Sequence, residues 1–246
     1  MKRALLDRLQ AARAEKRPAA VVTNLKDGRQ SLIVDGEGDD GLPLTADQRT
    51  AVAAAIQSDR SGVLKEDRDL FVHVHNPPLR LIVVGAVHIS QALVPMARLA
   101  GYDVYLVDPR KAWANSDRFP AVNMVEGWPD EALHSLAPDH RSAVVVLTHD
   151  PKLDDPALGV ALRSSAFYIG ALGSRKTHAG RLARLRDSGL EEESFERIHG
   201  PIGLAIGAKS PAEIAIAILA QMTQALHGAP PLVKADPLNP GAAAAE

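Results

Sequence analysis

Leu79-Arg80-Leu81-Ile82-Val83-Val84-Gly85-Ala86-Val87-His88 is the stretch whose reading decides the fold. The run from Leu79 to Val84 is dense in apolar side chains, the pattern of a parallel strand buried on both faces. Gly85 follows directly, and helical spacing then continues through Leu99. A strand that reverses sharply into a helix needs a glycine at the turn, and the helix N-terminus beyond it offers free N–H groups and a positive dipole end to a phosphate.

Downstream, Val104–Val107, Ala143–Leu147 and Ala166–Ile169 read as further strands. Helical patterns lie between and after them, including Thr177–Asp187 and Pro211–Leu226. Such alternation implies right-handed βαβ units and an α/β fold with a Rossmann-like, doubly wound parallel sheet. Upstream, Asn76-Pro77-Pro78 breaks the chain and marks a boundary. Before it, residues 1–16 carry Leu5, Leu6, Leu9 and Ala12 at helical spacing. Ala20–Thr23 and Ser31–Val34 form a hairpin around Asp27-Gly28, and Gly36–Gly41 is a polar, glycine-rich loop. Thr45–Ile56 is a helix capped by Thr45, with Gln48 three residues on, and Leu70–His75 alternates like a strand. The expected organisation is therefore a small α+β N-terminal domain over 1–77, a Rossmann-like domain over 78–227, and a Pro- and Ala-rich mobile tail over 228–246.

Composition narrows the function classes. The 246 residues are 46% hydrophobic and 24% charged, and the net charge of -2 shows no basic excess of the kind nucleic-acid binding needs. Aromatics at 4% weaken any model of single-strand stacking. No cysteine is present, so disulfides, thiolate nucleophiles and Cys-ligated zinc are excluded. The charged, helical N-terminus lacks the apolar run of a signal peptide, and no stretch approaches the roughly 18 apolar residues of a membrane span. A cytoplasmic protein with neither nucleic acid nor membrane as partner is expected.

Ligands of open α/β sheets bind at the carboxyl ends of the strands. Gly85 stands at the first such end. Asp108 ends the second strand about 20 residues on, where an acid can accept bonds from ribose hydroxyls, and Arg110 lies beyond it. The G-x-G-x-x-G fingerprint is incomplete, because Val87 and Ser90 occupy its other glycine positions. Gly85 and Asp108 therefore read either as a nucleotide site or as a turn and a strand-end acid. The third strand runs into Thr148-His149-Asp150, which as sequence neighbours do not make a Ser-His-Asp-type set. The fourth runs into Gly170-Ala171-Leu172-Gly173-Ser174-Arg175-Lys176. Here glycines admit an anion and Ser174 and Arg175 can bind phosphate; the alternative is a solvated basic helix start. The spacing is not that of a P-loop. In the segment from His199 to Pro211, Ser210, Pro211 and Glu213 make a helix cap, and glycines including Gly203 can bring backbone to the crevice. His73 and His75 share a strand face but lack a third ligand, so no metal site is assigned.

Gly85-Ala86-Val87-His88, Val107-Asp108-Pro109-Arg110, Thr148-His149-Asp150, Tyr168 through Lys176, and Pro201-Ile202-Gly203-Leu204 through Pro211-Ala212-Glu213-Ile214-Ala215 together resemble the XdhC/CoxF/CoxI family. The resemblance runs from about Leu79 to Gln224. It implies an accessory protein that binds molybdenum cofactor, as molybdopterin or a dinucleotide form. Such a protein protects the cofactor, holds it for sulfuration by a cysteine desulfurase, and delivers it to an apo molybdenum hydroxylase of the xanthine dehydrogenase or carbon monoxide dehydrogenase type. A homodimer is also implied. The cofactor-binding residues it implies are Gly85, His88, Asp108, Arg110, Thr148, His149, Gly170, Gly173, Ser174, Arg175 and Gly203, with none catalytic. This sequence departs from the family pattern at Val87, Ala205 and Gln221, has a short N-terminal domain, and without cysteine offers no thiolate to molybdenum. The alternative on the same fold is an NAD(P)-dependent oxidoreductase with His149 as proton donor. A protein whose crevice is empty and which serves only assembly is a third reading.

Overall fold

The computed structural model of the protein describes residues 3–39, 41–65 and 67–230. Most of the tail expected to be mobile, from residue 231 onward, lies outside the described residues. The chain divides into two compact units, Met1–Pro77 and Pro78–Glu246.

The first unit contains α1 (Arg3–Ala14), β1 (Ala19–Asn24), β2 (Gln30–Val34), β3 (Glu37–Gly38), α2 (Ala46–Gln57), β4 (Gly62–Val63) and β5 (Leu70–His75). Its antiparallel sheet has the order β3-β2-β1-β5-β4. Successive side chains of a strand point to opposite faces, and β1 uses both. Ala19 and Val21 pack with Leu5, Leu9 and Ala12 of α1, whereas Ala20 and Val22 pack with Val52 of α2 and Leu70 and Val72 of β5. Thr45 and Gln48 form the expected capping box at α2. The glycine-rich loop is shorter than its composition implies, because Glu37 and Gly38 pair with Val34 and Ile33.

The second unit contains β6 (Leu79–Val84), α3 (His88–Leu99), β7 (Tyr102–Val107), β8 (Asn123–Val125), α4 (Pro129–Leu136), β9 (Ser142–Val146), α5 (Pro151–Arg163), β10 (Tyr168–Ala171), α6 (Arg175–Asp187), a 3-10 turn (Glu192–Arg197), β11 (Ile198–His199) and α7 (Pro211–Leu226). The sheet order is β11-β10-β9-β6-β7-β8, and neighbouring strands in it run parallel. Numbered along the chain from β6 and read from the β8 edge, that is the 3-2-1-4-5-6 order of the Rossmann fold. Leu81, Ile82, Val83 and Val84 are all fully buried. Leu81 and Val83 face a cluster with α3 and α7, whereas Ile82 and Val84 face one with α4 and α5. That two-sided burial is why β6 shows no polar alternation.

The expected fourth strand starts two residues late, at Tyr168. Just before it, Ala166 N–H donates to Ser164 Oγ and Phe167 N–H to Ser142 O, which closes a turn. The sequence pattern does not delimit β8, α4, α5 or β11. The strands among these are two or three residues long, too short for periodicity to register.

Candidate functional site

The strand order reverses between β6 and β9, so the loops after these two strands open the crevice where such sheets bind ligands. Gly85 sits there with φ of +113°, and a Cβ on it would come within 2.8 Å of Thr148 Cγ2 and 3.2 Å of Thr148 N. Only glycine satisfies both the backbone and that approach. Ser90, at a fingerprint glycine position, is fully buried and donates its hydroxyl to Gly85 O. His88 opens α3 and is exposed.

Asp108 is turned inward. Its Oδ2 accepts from Ala86 N at 2.8 Å and from Arg110 Nη2 at 2.7 Å, and its Oδ1 accepts from Arg110 N at 2.9 Å and Nε at 2.8 Å. A carboxylate has about four acceptor positions, and all are taken by the protein. Burial pushes this carboxyl up, but the Arg110 guanidinium and the two backbone N–H groups outweigh it and hold the group below the usual carboxylate range. Asp108 therefore ties the loop after β7 to the turn after β6, and no acceptor is left for a ribose or pterin group. Arg110, with 40% of its side chain exposed, keeps Nη1 unused among the described residues.

Arg118, which no sequence pattern singles out, braces the same turn. Its Nη1 donates to Ala86 O at 3.1 Å and Trp113 O at 2.9 Å, and its Nη2 to Gln91 Oε1 at 3.3 Å. It lies in the irregular stretch between β7 and β8, where no period marks a buried face.

Thr148-His149-Asp150 serves α5 in two of its three positions. Thr148 donates its hydroxyl to Asp154 Oδ1, and Asp150 caps α5 by accepting from Lys152 N at 3.0 Å. His149 is exposed, with φ of +63°. Asp154 and Arg181 are 2% and 1% exposed and form an ion pair at 3.5 Å. Arg181 Nη2 also donates to Leu172 O at 2.7 Å, while its Nε and Nη1 have no partner among the described residues. Burial raises the Asp154 carboxyl above its ordinary value against the pull of Thr148 and Arg181. This line of bonds joins the loop after β9 to the loop after β10.

In that second loop, Gly173 has φ of +146° and leads into Ser174, whose hydroxyl accepts from Thr177 N at 3.1 Å and caps α6. Arg175 is exposed and lines a cavity of about 310 Å³ with Pro201, Gly203, Leu204, Gly207 and Ala208. Two predicted glycines have packing duties. A Cβ on Gly170 would meet Ile202 Cδ1 at 2.5 Å, and one on Gly203, at φ of +90°, would meet Ala217 Cβ at 3.1 Å. Gln221 accepts from Tyr168 OH at 2.6 Å and from Gly203 N at 2.8 Å. His199 stacks on Tyr168 with centroids 4.6 Å apart.

Gly85, Asp108, Arg110 and Thr148 are thus brought together, and Gly173, Ser174 and Arg175 form a second group joined to Thr148 through Asp154 and Arg181. The rings of His73 and His75 lie 4.1 Å apart. No group of three metal-ligating residues occurs among the described residues. No helix among them is long and apolar enough to cross a membrane.

Residues 81–222 match the XdhC Rossmann domain. The chain is 31% identical over 188 residues to the uncharacterized protein YqeB of Escherichia coli (strain K12), covering 76% of this chain and 34% of that protein. It is 32% identical over 160 residues to a probable xanthine dehydrogenase subunit of Bacillus subtilis (strain 168), covering 63% and 46%. It is 31% identical over 146 residues to the molybdenum cofactor insertion chaperone PaoD of Escherichia coli (strain K12), covering 59% and 40%. The chain thus spans between a third and a half of the length of these relatives. A crystal structure of a xanthine dehydrogenase from Bacillus halodurans shares the fold, with a TM-score of 0.69 at 23% identity over 97% of this chain and 67% of that one.

Proposed function

Because the chain belongs to the XdhC family, whose Rossmann domain occupies residues 81–222, we propose that it binds molybdenum cofactor as cargo and assists its insertion into an apo molybdenum hydroxylase. The relative named as a molybdenum cofactor insertion chaperone supports this reading. The observation that carries it is the donor set at the carboxyl ends of the sheet. Arg110 Nη1, the exposed Arg175 and the N-terminus of α6 all offer hydrogens to an anion.

Each of these donors is suited to an anionic oxygen of the cofactor. With no cysteine in the sequence, this chain offers no thiolate to the metal end, so it holds the cargo by its anionic handle. Asp108 orients Arg110 by a two-point bond, and Arg118 and Asp108 hold the turn after β6 from opposite sides through Ala86 O and Ala86 N. Both contributions are positional and move no proton. A cargo left open at its metal end is accessible to a cysteine desulfurase for sulfuration and then to the hydroxylase.

The oxidoreductase reading is weaker on the same geometry. Asp108 has no acceptor left for a ribose hydroxyl, and Val87 stands where a pyrophosphate needs close backbone approach.

The test is anaerobic equilibrium dialysis of the full chain against molybdenum cofactor, with NAD(H) in parallel. Cofactor retention is expected, weakened roughly tenfold or more by Arg175→Ala, as loss of a charge-assisted bond implies. Full affinity in that variant would remove Arg175 from the site. Retention of NAD(H) alone would overturn the reading.

A further inference from the structure

The chain has two tryptophans, Trp113 and Trp128. They are 46% and 53% exposed, and they follow the carboxyl ends of β7 and β8. A salt bridge of 3.2 Å between Lys111 and Glu126 joins the two loops that carry them. Tryptophan combines a large apolar ring with a polar N–H and is enriched where a surface meets a partner.

Trp113 is also fixed relative to the crevice. Arg118 Nη1 bonds both Trp113 O and Ala86 O, so one guanidinium joins the tryptophan loop to the turn after β6. The guanidinium groups of Arg118 and Arg110 both lie over the indole, their carbons 5.2 and 5.9 Å from its centroid, and 46% of the residue stays exposed beside them. Arg110 brings its unused Nη1 to the same place, held there by Asp108. An exposed indole beside an available guanidinium edge at the rim of a Rossmann crevice is a platform for a flat ring carrying an anion.

We propose that Trp113 is a stacking platform for a planar nitrogen heterocycle whose phosphate is taken by Arg110. The chemistry is common to a pterin and to the base of a nucleotide. The proposal rests on the cofactor-binding reading and adds to it the part of the crevice that holds the ring. Stacking is the recognition left to this half of the crevice, because Asp108 cannot read a hydroxyl.

The test uses the full chain carrying Trp128→Phe, so that Trp113 is the single tryptophan. GMP and neopterin phosphate are the heterocyclic probes, and inorganic phosphate is the anion control. With excitation beyond the tyrosine band, GMP is expected to change the Trp113 emission well beyond the change that inorganic phosphate causes through Arg110. By calorimetry, Trp113→Ala is expected to weaken whichever heterocycle binds on the order of 5- to 150-fold, the range for loss of one stacked base. Trp113→Phe is expected to restore most of that affinity. The tighter of the two probes identifies the source of the ring. Unchanged affinity in Trp113→Ala would overturn the platform and leave the cofactor-binding reading intact. Binding of inorganic phosphate without either heterocycle would do the same. Failure of all three probes to bind would overturn the platform, while dialysis against molybdenum cofactor decides the cofactor-binding reading separately.

Discussion

Asp108 shows how a residue can be placed correctly and still do a different job. Its position after β7 is where an acid in this fold reads ribose, yet its carboxylate is spent on Ala86 and Arg110. The deciding partner, Arg110, is only two residues away, but sequence spacing does not say whether a neighbouring guanidinium turns inward or outward. Because the folded group sits below its ordinary value, its contribution is present above the unfolded carboxyl range and is lost as pH falls through the folded value. Asp108→Asn is expected to cost roughly 1.5–3 kcal/mol near neutrality, the worth of bonds to a charged group. The check is urea unfolding with the midpoint lowered and the slope unchanged. The gap between wild type and variant should close as the pH is taken below about 4; a gap constant with pH would mean the carboxylate charge contributes nothing. The glycines divide in the same way. Gly85 and Gly173 are turn residues as their spacing suggests, whereas Gly170 and Gly203 make room for Ile202 and Ala217, contacts that no local pattern announces.

At the level of elements, α5 and α6 are joined by the Asp154–Arg181 pair, which the sequence pattern alone did not bring out. The signal was present. Asp154 precedes Leu158 by four residues and Ala161 by seven, on the buried face of α5, and Arg181 precedes Leu185 by four, the two buried residues of α6. A charge at a core position asks for a partner, and the helical period names the face on which to look. The two members of the pair are not equivalent. Arginine cannot shed its charge, whereas burial already favours the protonated form of Asp154. Asp154→Leu strands a buried cation and is expected to cost about 3–5 kcal/mol. Arg181→Met leaves an acid that can take up a proton, so it should cost less than Asp154→Leu, and its own cost should fall further in acid. The double variant Asp154→Leu/Arg181→Met should recover much of the loss, a coupling that a double-mutant cycle in urea measures. Equal single costs at every pH would refute the asymmetry. The capping boxes at Thr45 and Ser210, by contrast, were legible because each is written within four consecutive residues.

For the whole molecule, the most legible feature was the run of apolar strands after Asn76-Pro77-Pro78, since a strand buried on both faces cannot hide its composition. Each compact unit buries apolar clusters drawn from its own residues: Leu5 to Val72 in the first, Leu81 to Met222 in the second. A smaller unit buries a smaller fraction of its surface and is the less stable on that account. We therefore expect unfolding in two steps, with Met1–Pro77 first. The placement of the tryptophans makes this measurable. Trp113 and Trp128 both belong to Pro78–Glu246, so indole emission follows that unit alone, whereas far-ultraviolet ellipticity also follows α1 and α2. In a urea titration the ellipticity should begin to fall before the emission shifts, and the two curves should not superimpose. Superimposed curves with a single slope would mean that the chain unfolds as one cooperative body, and that the smaller unit draws its stability from the larger.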